Sequence, residues 1–148
     1  MTYGWALLVV LIAIGALAFF GVLNPSKFLP NSCSLAPGFS CNDFKASAGS
    51  DEIIIVVQNG LGENLNGVTL TLANSVPACG SSGGTVGQNF EGAGTTLNDG
   101  GSTTFTMTGC TALVGGSKLK GDLRIAYTVG SSSIPHNKVG QLVVGIEA

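Results

Sequence analysis

Four cysteines, one histidine, the acidic pair Asp51-Glu52 and the neighbours Asn98-Asp99 are the side chains of this sequence whose types and spacing could do chemistry. Cys33, Cys41, Cys79 and Cys110 include no Cys-x-x-Cys pair, so the spacing of a zinc knuckle is absent. The single histidine, His136, stands beside Pro135 with no thiol or carboxylate cluster near it in sequence. Alone it cannot build a catalytic triad or a copper or zinc site, and it reads as a solvated loop residue. Asp51-Glu52 and Asn98-Asp99 lack the ligand spacing of an EF-hand loop. Gly-Ser-Ser-Gly-Gly at 80–84 lacks the Lys and the following helix of a phosphate loop and reads as a flexible turn. No catalytic residue, metal ligand or cofactor is expected, and nothing in these residues argues for an enzyme.

The chemistry that remains is disulfide formation and sugar attachment. An even number of cysteines, all beyond an apolar N-terminal segment, suggests an oxidising exterior and two disulfides, for which four cysteines allow three connectivities. Cys33 with Cys41 and Cys79 with Cys110 are favoured. The first pair is close in sequence at the entrance of the downstream domain, and the second brackets one block of strand and loop. In the chain-entropy model the two closed loops contribute about 2.6 and about 3.7 kcal/mol. Every Asn fails the Asn-x-Ser/Thr test, the nearest case being Asn31-Ser32-Cys33. Candidate acceptors for hydroxyl-linked sugars are Ser81, Ser82, Thr95, Thr96, Thr104, Thr106 and Ser132, against the plainer reading of a solvated β surface.

The elements that carry these residues follow from composition. Only 9% of residues are charged and the net charge is −2, which leaves no basic field for a phosphate backbone, so nucleic acid is not expected as a partner. The first charged side chain is Lys27. From Trp5 to Leu23 the chain is apolar or small without interruption, beyond the ~18 residues at which a segment is read as membrane-spanning. Its large side chains, at roughly 2 kcal/mol of burial each, represent on the order of 25 kcal/mol. Water cannot be this segment's permanent neighbour. Its Leu and Ala content and lack of Pro predict a helix over residues 1–24, its uncharged stretch from Thr2 to Leu23 running roughly 33 Å, ended by Asn24-Pro25. Ala16-Leu17-Ala18 resembles a cleavage site, but no Lys or Arg precedes the apolar run, so the segment is expected to be retained.

Residues 25–38 hold Pro25, Pro30 and Pro37 and read as a stiff linker with Phe28 and Leu29 available for packing. The remainder, 39–148, has the marks of a β domain, with many of the chain's 23 glycines in turns. Strands are predicted at 39–45, 52–58, 68–72, 102–108, 119–129 and 138–147. The β-branched run at 53–57 suggests burial on both faces. Val68, Leu70 and Leu72 alternate with Thr69 and Thr71, the pattern of one wet face. Phe105 and Met107 share an inner face, as do Leu119, Leu123, Ile125, Tyr127 and Val129, and Leu142, Val144 and Ile146. Asn59-Gly60, Asn66-Gly67 and Asn98-Asp-Gly-Gly101 are turn signals, and 79–94 is a long surface excursion anchored by Val86 and Phe90. About seven strands at this spacing predict an α+β chain: a long N-terminal apolar helix followed by an antiparallel, immunoglobulin-like β-sandwich.

The string Met-Thr-Tyr-Gly-Trp-Ala-Leu-Leu-Val-Val at 1–10, with Gly-Val-Leu-Asn-Pro-Ser-Lys-Phe at 21–28 and a nearby Cys, resembles the start of archaeal type IV pilins, the class III signal peptide family. The likeness covers roughly the first 45 residues; beyond them only an Ile/Val run followed by Gln58-Asn-Gly-Leu-Gly corresponds. It implies a subunit held in membrane lipid by its helix, extracted by a pilus assembly machinery with a cytoplasmic motor, and stacked into an extracellular adhesive filament with helices inside and β domains outside. Members carry a basic leader, a processing site and usually a Glu-containing segment before this Tyr-Gly-Trp, a pattern from which this sequence departs.

Physical reasoning reaches self-association separately. A helix apolar on all sides belongs in lipid or among like helices. Ala6, Ala13, Gly15, Ala16, Ala18 and Gly21 allow close approach between copies. Trp5, Leu8, Leu11, Ile12, Ala13, Gly15, Ala16, Phe19 and Phe20 are the expected packing residues of a filament core. A head-to-tail contact that does not close gives an open helical polymer. The alternatives are a single-pass anchored β domain acting as a monomeric binding module, and a minor pilin.

Overall fold

A computed structural model of the chain describes residues 3–21, 29–77, 79, 88–90 and 95–148. Among these residues are one N-terminal helix and, after it, a large β domain of nine strands. Helix α1 spans Gly4–Phe19, 16 residues, or about 24 Å. It stops short of the predicted Asn24-Pro25 boundary because Gly21 adopts φ 67°, the left-handed conformation that closes helices at low cost for glycine. The N–H groups of Phe20 and Gly21 donate back to the carbonyls of Ala16 and Ala18. Residues 22–24 and Phe28 lie outside the described residues.

The strands are β1 (Ser32–Ser34), β2 (Phe39–Ser47), β3 (Glu52–Asn59), β4 (Leu65–Val76), β5 (Gln88–Asn89), β6 (Thr95–Leu97), β7 (Ser102–Met107), β8 (Lys118–Val129) and β9 (His136–Glu147). They pair in the order β5-β4-β8-β9-β2-β3-β7, with β1 on β9 and β6 on β4. β1 thus lies inside the stretch 25–38 predicted as linker. Every pairing is antiparallel except β2 with β9, where Ala46 and Ser47 run parallel to Ile146 and Glu147. The reason is geometric. β1 runs antiparallel to β9, the chain reverses at 36–39, and β2 therefore returns in the direction of β9.

Strands from opposite ends of this order share one apolar cluster. Ile53, Ile55 and Phe105 from β3 and β7 join Leu70, Leu123 and Leu142 from β4, β8 and β9. The sheet must turn over on itself for these faces to meet, which is what removes the apolar side of each strand from water. Alternation is regular in β3, where Ile53, Ile55, Val57 and Asn59 are buried while Ile54, Val56 and Gln58 are half-buried. The β-branched run therefore has one fully buried face, not two. Its outer residues lie between Lys45 and Asp43 of β2 and Thr106 and Thr104 of β7, which shield them only in part.

Two turn signals have other roles. Asn66-Gly67 lies inside β4 at an irregularity in its pairing with β8, where Asn66 Nδ2 donates to the Gly130 carbonyl at 2.6 Å. Asn59 is fully buried. Its Nδ2 donates to the carbonyls of Glu63, Leu97 and Asn98 at 2.8, 3.1 and 3.2 Å, and its Oδ1 accepts the Leu61 N–H at 3.0 Å. One side chain thereby joins the loop after β3 to the turn before β7. At the other end of β2, Lys45 and Glu147 form an exposed ion pair of 2.8 Å. The hydrogen bond and charge of Glu147 hold the lysine above its ordinary pKa. Any stability this adds is complete below the ordinary lysine pKa and is lost as pH rises through the raised value, and solvent screening keeps it small.

Asn59→Ala is expected to destabilise the domain by about 3 kcal/mol, because it strips three inward carbonyls of their donor, and denaturant unfolding of the purified chain measures it. Gly140→Ala should cost about 2 kcal/mol in the same measurement, since a Cβ there would strike the backbone carbonyl of Ser34.

Candidate functional site

The surface that stands apart from ordinary folding is α1. Its residues are exposed apart from Ala6, which is half-buried, and none is buried. Trp5 is 72% exposed and Phe19 87%. Leu8, Leu11, Ile12 and Phe20 are likewise exposed large hydrophobics, and Ala13, Gly15 and Ala16 are exposed small ones. All nine residues singled out for packing thus lie on a surface that this chain alone leaves bare.

The local reasons are simple. Leu and Ala favour the helix, and no side chain between residues 4 and 19 competes for backbone hydrogen bonds. At 100° per residue, Trp5, Ile12 and Phe19 fall seven apart on one side, forming a bulky ridge with Leu8 beside it. Ala6, Ala13 and Ala16 fall near one flank of that ridge, and Gly4, Gly15 and Ala18 near the other. The rings of Phe19 and Phe20 meet edge to face at 5.8 Å at the C-terminal end. The helix has no acidic residue in its first turn and no basic residue in its last, so its interactions rest on shape and desolvation. No described helix is long and apolar enough to cross a membrane.

The cysteines form two disulfides, Cys33–Cys41 and Cys79–Cys110. Cys79 and Cys110 are buried, held by the Cys79 N–H donating to Ser75 Oγ and the Cys110 N–H donating to the Asp51 carbonyl. Cys33 and Cys41 are half-buried against the core. Of the hydroxyl candidates, Thr96, Thr104 and Ser132 are exposed and Thr106 is half-buried. Thr96 Oγ1 donates to Asn66 Oδ1 at 3.2 Å, and Ser132 Oγ accepts the Ile134 N–H at 3.2 Å. Ser81, Ser82 and the side chain of Thr95 lie outside the described residues, as does Val86.

His136 starts strand β9 and stacks on Tyr127 at 5.4 Å, and Tyr127 in turn meets Phe39 edge to face at 5.2 Å. His136 is exposed, as expected of a solvated residue, but begins a strand and is not in a loop. Among the described residues no group of three or more His, Cys, Asp or Glu side chains is placed to hold a metal ion. Sequence reasoning did not anticipate Val76, Val114, Ile134 and Val139 as exposed apolar residues of the β domain. Single exposed hydrophobics are ordinary on protein surfaces and carry no pattern by which to find them. Comparison with protein-family models, with curated proteins and with solved structures finds no match to this chain.

Because α1 buries nothing, removing residues 1–28 should leave the thermal unfolding midpoint of the β domain within ~2 °C of the full chain, while binding of an apolar dye falls sharply. Calorimetry and dye fluorescence on the two lengths test this.

Proposed function

We propose that this chain is a structural subunit of an extracellular filament, polymerising through α1 with its β domain on the outside. The observation that carries the reading is a helix with apolar side chains on all sides, none of them buried within the chain. Such a surface needs a partner as apolar as itself. Other copies of α1 supply it, offering bulky ridges to the small-residue flanks at Ala13 and Gly15, and a contact of this kind that does not close produces an open polymer. The resemblance of the first residues to archaeal type IV pilins points the same way. It suggests a major pilin of an adhesive pilus, lodged in membrane lipid before an assembly machinery incorporates it. Two disulfides suit an oxidising exterior. A sheet that turns over on a single core is what an immunoglobulin-like sandwich would present, and that is the architecture proposed for the exterior domain. No catalytic role is assigned.

The test is imaging of sheared cell-surface material by negative-stain microscopy, with mass spectrometry of its dominant band. Filaments composed of this chain are expected. Ala13→Glu or Gly15→Asp should reduce filament yield at least 100-fold with the β domain still folded, because a carboxylate would be buried among apolar helices without a partner. Normal filaments from either variant would sink the buried-helix picture, and detergent-dispersed monomers with no fibres would favour an anchored binding module.

A further inference from the structure

The chain enters the β domain through one short stretch. α1 buries none of its residues, and among the described residues that follow it the entering chain is held at residues 29–34. Their non-covalent hold is slight. Lys118 Nζ donates to the Leu29 carbonyl, the Gly145 N–H donates to Asn31 Oδ1 at 2.9 Å, and β1 adds three register pairs, Ser32 with Val143, Cys33 with Leu142 and Ser34 with Gln141. A ladder that short is marginal by itself.

Cys33, the middle residue of β1, is bonded to Cys41 in β2. β2 lies along β3 from Phe39 to Ser47, and β3 carries β7 on its other side. Load reaching Cys33 therefore passes directly into a strand paired along its length. It bypasses Leu35 and the turn closed by the hydrogen bond from the Phe39 N–H to the Ala36 carbonyl, 3.1 Å. The same cysteine faces Leu142 of β9 across the ladder, so the bond also ties the β9 side of the sheet to the β2 side.

We propose that the Cys33–Cys41 disulfide is a mechanical staple that transfers tension from the N-terminal segment to β2 and prevents β1 from peeling off β9. The staple acts whether α1 sits in lipid or among its own copies, so it stands independently of the filament reading.

The test is single-molecule pulling of the full chain. One tether is placed at the N-terminus and the other at Ser132 through a non-thiol handle, at the end of β8 and β9 away from Leu29. The oxidised chain should rupture in one high-force event. Cys33→Ser/Cys41→Ser should show an earlier event at half that force or less, lengthening the tether by about 22 Å, the extended length of the released separation of 8 residues less the 5.9 Å its ends already span. If the double variant does not fold, the same comparison is made on wild-type chain folded first and then treated with a phosphine, with alkylation and mass analysis confirming that Cys33 and Cys41 alone are reduced. Traces identical in force and step length with and without the bond would overturn the proposal.

Discussion

The β domain depends on how the last strand divides its hydrogen bonds. β9 gives one edge to β8 over ten register pairs, from His136 to Gly145. Its other edge is split between β1 at residues 141–143 and β2 at 146–147. A single long partner there would leave the sheet open, with its apolar face wet. Splitting the edge brings β2, and with it β3 and β7, over to the opposite side of the core. The close crossing has a steric condition at Gly140, where any side chain would strike the backbone of Ser34 and Leu35. Backbone saturation and apolar burial are thus satisfied by the same arrangement.

The far end of the domain is closed by different means. There Asn59 sits in the interior, where an unpaired amide would be costly, and its side chain bonds to the loop on one side and the turn on the other. The Asn59 N–H also donates to the Gly101 carbonyl, and its own carbonyl accepts the Gly100 N–H. Phe39, Tyr127 and His136 form an aromatic step from the core to the surface nearby. The two disulfides add covalent closure, one at the entrance and one between the segments that follow β4 and β7. None of this involves α1, which contributes no buried residue. The molecule therefore has a part that buries its own apolar side chains and a helix that leaves its own exposed.

Strand positions were legible where side chains alternate strictly. Leu70 and Leu72, Phe105 and Met107, and Leu142, Val144 and Ile146 all lie in the shared core, as their parity indicates. Irregular places misled. Asn66-Gly67 has the composition of a turn but occurs within β4, because a bulge requires the same left-handed freedom as a turn, here φ 60° at Gly67. Asn59-Gly60 ends a strand as a turn should, but nothing local indicates that its amide will be buried. β1 is only three residues long and holds no large apolar side chain, so it carries no periodic signal. It becomes a strand because Cys33 is tethered to β2 and because β9 offers an edge.

What the sequence determined by itself is what depends on neighbours a few residues apart: an uncharged apolar helix, the alternation that gives each long strand an inner face, and the cysteine pairs most easily closed. Helix-forming tendency, side-chain parity and loop entropy are all local or nearly so, and each is written in residue order. Tertiary structure alone decided which strands adjoin, the parallel contact between β2 and β9, the burial of Asn59 and the pairing of β1 with β9. Those outcomes rest on which backbone edge is left unpaired once the core has closed, a property of the whole sheet that no short stretch of chain contains.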